Sequence, residues 1–71
     1  MYYVYFLRNL KNGTFYIGYT SNLRRRKQEH GKEWELLYYE AYRDKTLAIK
    51  RERQIKQYGG SLRALKKRLG L

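Results

Sequence analysis

Five polar side chains have types and spacings that suit chemistry on a phosphate ester: Tyr5, Tyr16, Arg26, His30 and Glu52. A guanidinium can hold phosphate oxygens through two hydrogen bonds, and an imidazole can move protons near neutral pH. A phenol can orient a water, or deprotonate one when a cation or a base lowers the phenol's pKa. Divalent metal ions commonly bind one or two carboxylates and complete their shell with waters and phosphate oxygens. In a chain of formal net charge +11, this set points to a phosphodiester.

The charge balance favours nucleic acid as the partner. The chain has 17 Lys and Arg against 6 Asp and Glu, and such an excess attracts polyanions and speeds encounters with them. The alternatives are a solvated basic surface, or a membrane surface, which lacks support because no helix combines a broad apolar face with aromatic anchors. The apolar run at residues 2–7 is too short for a signal peptide or a membrane span, so a cytoplasmic protein is expected.

Hydrophobic periodicity and turn signals predict one α+β domain over residues 1–71, with a small sheet covered by helices in the order β-β-α-β-α-α. The predicted strands and helices are residues 2–8, 14–19, 22–31, 34–42, 45–58 and a third helix capped by Ser61. Thr20 or Ser21 is the expected cap of the first helix and Asp44 that of the second. There is no cysteine, which excludes disulfides and thiolate metal sites.

A hairpin joins the first two strands. Asn12-Gly13 is a strong signal for a two-residue turn, since both residues tolerate positive φ. In that register Tyr5, Tyr16 and Gly18 share one sheet face, but the two tyrosines are well offset along the strands. A longer loop or a bulge would bring them closer. A glycine in mid-strand often marks the close approach of a ligand or of a second backbone.

Glu52 interrupts the apolar face of the second predicted helix, between Ala48, Ile49 and Ile55. Burying an unpaired carboxylate costs several kcal/mol or forces it to protonate. Compensation by a metal ion and compensation by an ion pair, to Lys56 or to an arginine, remain open.

Arg26 and His30 lie four residues apart, so they share one face of the first predicted helix with Leu23. That face could aim a guanidinium and an imidazole at a phosphate. The alternative is that Arg26 belongs to a solvent-facing basic run at residues 24–27, and that His30 interacts with the helix dipole at the C-terminus.

The tripeptides Tyr3-Val4-Tyr5 and Tyr16-Ile17-Gly18 resemble the two signature tripeptides of the GIY-YIG endonuclease family. Tyr3 replaces the first glycine, as in the small stand-alone branch that this chain most looks like. The resemblance continues through Arg26, His30 and Glu52 and covers nearly the whole chain.

The resemblance implies a small three-stranded antiparallel sheet flanked by helices, with a cleft on one sheet face. It implies hydrolysis of DNA with a single Mg²⁺ or Mn²⁺. By position, Glu52 would be the metal ligand and Arg26 would contact the scissile phosphate. Tyr5 would activate or orient the water, assisted by Tyr16 and His30.

DNA contacts are expected from a glycine and from cations of two helices: Gly18, Arg24, Arg25, Lys27, Arg63, Lys66 and Lys67. Contacts to the phosphate backbone of DNA carry no information about base sequence. We therefore expect a preference for DNA structure, such as branched, flapped, damaged or single-stranded DNA. Several family members carry an asparagine beyond the glutamate helix, whereas this chain has none after Glu52. A non-catalytic nucleic-acid-binding module is therefore the alternative, and docking of an acidic protein is a weaker one.

Overall fold

The computed structural model describes residues 1–57 and 59–71, and its elements follow the predicted α+β order. The strands and helices are β1 Tyr2–Asn9, β2 Phe15–Thr20, α1 Leu23–His30, β3 Trp34–Tyr42, α2 Lys45–Gln57 and α3 Gly59–Arg68. The three strands form one antiparallel sheet in the order β2-β1-β3, which confirms the predicted class. The expected end of the second helix, residue 58, lies outside the described residues.

The sheet has two faces with different coverings. The packed face carries the core, where side chains of β1 and β2 meet buried residues of α2 and α3: Val4, Phe6, Ile17, Ala48, Ile55 and Leu65. The opposite face, here called the site face, carries Tyr5, Leu7, Tyr16 and Gly18, as predicted from the period-two alternation. Helix α1 lies over the site face, with the His30 ring 6.0 Å from the Tyr5 ring.

The hairpin has the predicted faces, and of the two turns left open by the sequence it has the longer loop rather than the two-residue turn. Leu7 pairs with Tyr16 and Tyr5 with Gly18, two residues away from the register of a two-residue turn. The loop spans residues 10–13 because the Asn9 side chain accepts hydrogen bonds from two backbone N–H groups of that loop, at 2.9 and 3.2 Å. The shift is by two residues, so the faces are preserved while the two tyrosines become diagonal neighbours.

A β-bulge in β3 changes which side chains reach the site face. Tyr5 pairs with Tyr39, but beyond an irregularity at Phe6/Leu7 the partner of Leu7 is Leu36. Between these two pairs, β3 therefore has one residue more than β1. The extra residue reverses the sheet face on which the side chains of residues 34–36 lie. As a result Trp34 lies beside the rings of the site face.

Helix α1 begins one residue later than its predicted caps allow. Asn22 is the cap, and its side-chain oxygen accepts from the backbone N–H of Arg25 at 3.0 Å. Thr20 instead accepts from the Asn22 backbone N–H at 3.0 Å and orders the approach to the helix. Gly31, at φ 87°, ends the helix as predicted.

The start of α2 was predicted correctly and that of α3 was not. The Asp44 side chain accepts from the Thr46 backbone N–H at 2.7 Å, as a cap should. Helix α3 already begins at Gly59, before the predicted cap at Ser61. Its leucines still form the expected stripe, with Leu65 buried.

A polar network fastens α2 to β3 on the packed face. The Glu40 carboxylate accepts from the hydroxyls of Tyr38 and Tyr42 at 2.7 and 2.6 Å. The Arg51 guanidinium donates to both carboxylate oxygens, at 2.9 and 3.2 Å. Burial raises the pKa of Glu40, but the bonds from Arg51, Tyr42 and Tyr38 outweigh it and leave the pKa below its ordinary value.

We expect Glu40→Gln to lower the free energy of unfolding by about 2–3 kcal/mol at neutral pH, because Arg51 loses a half-buried charged partner. The folded-state pKa of Glu40 is lowered, so its stabilising contribution is present above the unfolded-state pKa and is lost as pH falls through the folded value. Urea unfolding of both proteins at about pH 7 and about pH 3 measures this.

Glu33→Gln is the matched control, since Glu33 is exposed and pairs only with Lys11 at 2.8 Å among the described residues. Its effect should stay below about 1 kcal/mol. If wild type and Glu40→Gln lose the same free energy of unfolding on acidification, Glu40 does not stabilise the fold through this network.

Candidate active site

Tyr5 lies at the centre of an aromatic cluster on the site face. Its side chain is buried at 2% exposure, and its hydroxyl oxygen is 3.4 Å from His30 Nε2. The Tyr16 ring lies 6.0 Å from the Tyr5 ring and 4.9 Å from the His30 ring, between ring centroids. Three of the predicted catalytic side chains therefore converge, two from the hairpin and one from the C-terminal end of α1.

Gly18 provides the space that the Tyr5 ring occupies. A Cβ atom at Gly18 would overlap the hydroxyl oxygen and Cζ of Tyr5, and it would lie 2.9 Å from Cε1 of Tyr16. The absence of a side chain is thus explained by packing within the chain, without a ligand. A contact between Gly18 and nucleic acid stays a prediction.

Glu52 is partly exposed and has a cationic partner. Its side chain is 23% exposed, and its carboxylate lies 3.3 Å from Lys56 Nζ. The ammonium of Lys56 is also 5.8 Å from the centroid of the Tyr16 ring, so this side of α2 reaches β2. Ala48 and Ile55 are buried in the core on either side of Glu52 along the helix. Lys56 is thus the cationic partner of this carboxylate among the described residues.

Arg26 lies one turn before His30 on α1. Its guanidinium pairs with Glu29 at 3.2 Å, and its side chain is half-exposed. An exposed ion pair within one helix is worth at most about 1 kcal/mol. The guanidinium is therefore held loosely and could exchange Glu29 for another anion.

The surroundings of Tyr5 favour its neutral form. Burial raises the pKa of the Tyr5 phenol above its ordinary value, and interaction with Tyr16 raises it further. The positive charge of Arg26 acts in the opposite direction, and the negative charge of Glu52 adds to the rise. Both charges are thus felt at the Tyr5 hydroxyl, which remains protonated unless another cation approaches it.

The structure does not bring the predicted DNA-contacting cations together on one face. Helix α1, above the site face, carries Arg24, Arg25 and Lys27. The other predicted cations belong to α3, which packs on the opposite face of the sheet. Among them, Lys66 Nζ lies 4.4 Å above the Phe15 ring of that face, while Arg63 and Lys67 are exposed beside it.

Sequence reasoning missed Trp34 as a member of the site. Its ring centroid lies 5.9 Å from that of His30 and 6.3 Å from that of Tyr16. Trp34 comes three residues after Gly31, which ends α1, so its sequence position alone placed it close to His30. The face on which it lies depends on the bulge, which no pattern in the sequence indicated.

The described side chains could hold a divalent ion through few protein ligands, but not through a complete shell of protein ligands. No group of three or more His, Cys, Asp and Glu side chains that could hold a metal occurs in the part of the chain that the structure describes. Glu52, whose partner Lys56 lies 5.8 Å from the centroid of the Tyr16 ring, supplies one carboxylate. Mg²⁺ is commonly bound in this way, with waters and substrate phosphate oxygens as its other ligands.

Comparison with known families finds a match over the hairpin and α1. Residues 1–33 match the family model of the GIY-YIG catalytic domain. The match includes Tyr5, Tyr16, Arg26 and His30, whereas Glu52 lies outside it. Neither a curated protein nor a solved structure matches the chain significantly. In residues 1–57 and 59–71, no helix has the length and apolarity needed to span a membrane.

Gly18→Ala should displace the Tyr5 ring and lower the free energy of unfolding by about 1–3 kcal/mol, because a methyl group cannot fit beneath the ring. Two-dimensional NMR of the aromatic side chains should show shifted Tyr5 and His30 resonances. Gly13→Ala is the control: it strains a backbone at φ 72° with nothing within 4 Å of the new atom, so these ring resonances should not move. Unchanged Tyr5 resonances in Gly18→Ala would rule out the packing described above.

Proposed function

We propose that this chain, which is assigned to the GIY-YIG family, is a metal-dependent endonuclease that hydrolyses DNA and selects DNA structure rather than sequence. Membership in the family points to nuclease activity and a nucleic-acid substrate. One observation best supports the proposed cleavage of DNA. Tyr5, Tyr16 and His30 converge on one sheet face, and the charges of Glu52 and Arg26 act on Tyr5.

Glu52 would hold the single Mg²⁺ or Mn²⁺, together with phosphate oxygens of the substrate. When bound, the ion would neutralise the phosphate, stabilise the leaving oxygen and lower the pKa of a coordinated water. To bind it, Glu52 would give up its contact with Lys56. The released ammonium, already near the Tyr16 ring, would then be available to a phosphate oxygen.

Arg26 would contact the scissile phosphate. Its pair with Glu29 is exposed and lies at 3.2 Å, so a phosphate can replace the carboxylate at small cost. A guanidinium placed there would stabilise the negative charge that develops on the phosphate oxygens in the transition state.

Tyr5 would orient the attacking water, with His30 as its proton partner. Because the pKa of Tyr5 is raised, the hydroxyl keeps its proton in the free protein and acts through hydrogen bonds. His30 Nε2, 3.4 Å away, is close enough to accept that proton if a nearby cation lowers the phenol's pKa. Tyr16 packs against both rings and would restrict their motion.

The alternative is a binding module that retains the fold without cleavage. It is favoured by the Glu52–Lys56 pair at 3.3 Å, which already satisfies the carboxylate, and by the lack of an asparagine after Glu52. Both proposals share phosphate contacts, so either predicts affinity for DNA that falls as salt rises.

Nicking of labelled duplex, single-stranded and branched DNA, with Mg²⁺ or with a chelator, tests the proposal. Glu52→Gln should reduce Mg²⁺-dependent cleavage at least about 100-fold, because the ion contributes several kcal/mol to the transition state. Glu33→Gln removes a carboxylate that pairs with Lys11 and should cleave like wild type. Tyr5→Phe keeps the ring over Gly18 and should fold normally while losing activity.

Equal cleavage by wild type and Glu52→Gln would contradict the metal site. Salt-sensitive binding of every substrate without cleavage of any would instead establish the binding module.

A further inference from the structure

A groove between α1 and β3 lies on the site face and is not used by the proposed chemistry. Its volume is about 500 Å³, within the range of about 300–1,000 Å³ usual for small-molecule sites. The floor is apolar and aromatic, formed by Tyr3, Tyr39, Leu23 and Leu36. We call it the aromatic groove.

The floor of the aromatic groove presents exposed tyrosine surface. Tyr39 is 51% exposed, and its ring meets the Tyr3 ring edge-on, with centroids 6.0 Å apart. An aromatic ring held in place by a neighbour, with its own surface open to solvent, is the feature on which unpaired nucleobases stack.

The rim of the aromatic groove is cationic. Arg24 and Lys27 of α1 line it, and none of its described lining residues is acidic. Arg24 forms no ion pair with any residue that the structure describes, in contrast to its neighbours Arg25 and Arg26. Lys27 donates weakly, at 3.4 Å, to the Gly31 carbonyl. The charge of the rim thus suits the phosphates of a strand whose bases face the floor.

The aromatic groove lies one strand away from the candidate active site. Tyr39 is the pairing partner of Tyr5 across β1 and β3, with Cα atoms that such pairing places about 5 Å apart. The Tyr5 ring extends the other way, over Gly18 of β2. A nucleic-acid strand that leaves the groove across β1 would therefore approach the aromatic cluster, in which Tyr5 is buried and Tyr16 is 40% exposed.

We propose that the aromatic groove binds an unpaired nucleotide of the DNA strand next to the scissile phosphate, with its base on Tyr39 and its phosphate at Arg24 and Lys27. The inference rests on the proposed function and names the substrate class, which is DNA with a single-stranded segment beside the cut. In a continuous duplex the bases are stacked and paired, so duplex DNA contacts the rim without using Tyr39.

Fluorescence anisotropy with a chelator present tests this without cleavage. Tyr39→Ala should weaken binding of a single-stranded oligonucleotide about 5- to 100-fold, the loss of one stacked base. Binding of the matching duplex should change less than about twofold, since phosphate contacts dominate it. Tyr39→Phe should behave like wild type. Leu47→Ala, which trims an equally exposed residue of α2 (52%), is the matched control and should alter neither affinity.

Equal effects of Tyr39→Ala on both DNAs, or no effect on either, would overturn the proposal. If Tyr39→Ala fails to fold, Tyr39→Leu keeps the apolar bulk without the aromatic face and gives the same comparison. The outcome is separable from that of the nuclease proposal. If the wild-type protein nicks DNA and Tyr39→Ala has no effect, only the groove proposal is contradicted. If binding depends on Tyr39 but no DNA is nicked, only the endonuclease proposal is contradicted.

Discussion

The placement of the Tyr5 ring over Gly18 is the constraint on which the candidate site depends. The ring can lie there only because residue 18 has no side chain and because the hairpin pairs Tyr5 with Gly18. That pairing follows from the four-residue loop, which the Asn9 side chain stabilises. From this position the hydroxyl reaches His30, and the Tyr16 ring covers both. A different hairpin register would separate the three side chains, whatever their order in the sequence.

The packed face of the sheet carries the core and the site face carries the candidate active site, and α2 has residues close to both. Arg51 is fixed to Glu40 on the packed face by two hydrogen bonds. Its neighbour Glu52 lies about 100° further round the helix, toward Lys56 and the edge strand β2. The ion pair between Arg51 and Glu40 therefore fixes the rotation of α2, and with it the position of Glu52, whose carboxylate lies 3.3 Å from Lys56 Nζ.

The sequence was sufficient for the elements and for the sheet faces, because period-two and helical spacing determine them locally. The grouping of Tyr5, Tyr16 and His30 was expected only from the resemblance to the family, since it depends on the hairpin register and on a contact between distant residues. The sequence was insufficient for the hairpin register, since the side-chain bonds of Asn9 override the strong Asn12-Gly13 turn signal. It also could not predict the bulge that brings Trp34 to the site face, which depends on pairing between distant strands. For Glu52 the residues left a metal and an ion pair open, and the partner seen is Lys56.

If Glu52 holds a divalent metal ion beside Tyr5 and Tyr16, as proposed, a paramagnetic ion should bind there too. Titration of the isotope-labelled protein with Mn²⁺, followed by paramagnetic broadening of its NMR signals, measures this. Signals of Glu52, Tyr5 and Tyr16 should broaden first, while those of Glu40 on the packed face persist, and Glu52→Gln should abolish this selectivity. Broadening that spreads evenly over the surface carboxylates, or that is unchanged in Glu52→Gln, would contradict the proposed metal site.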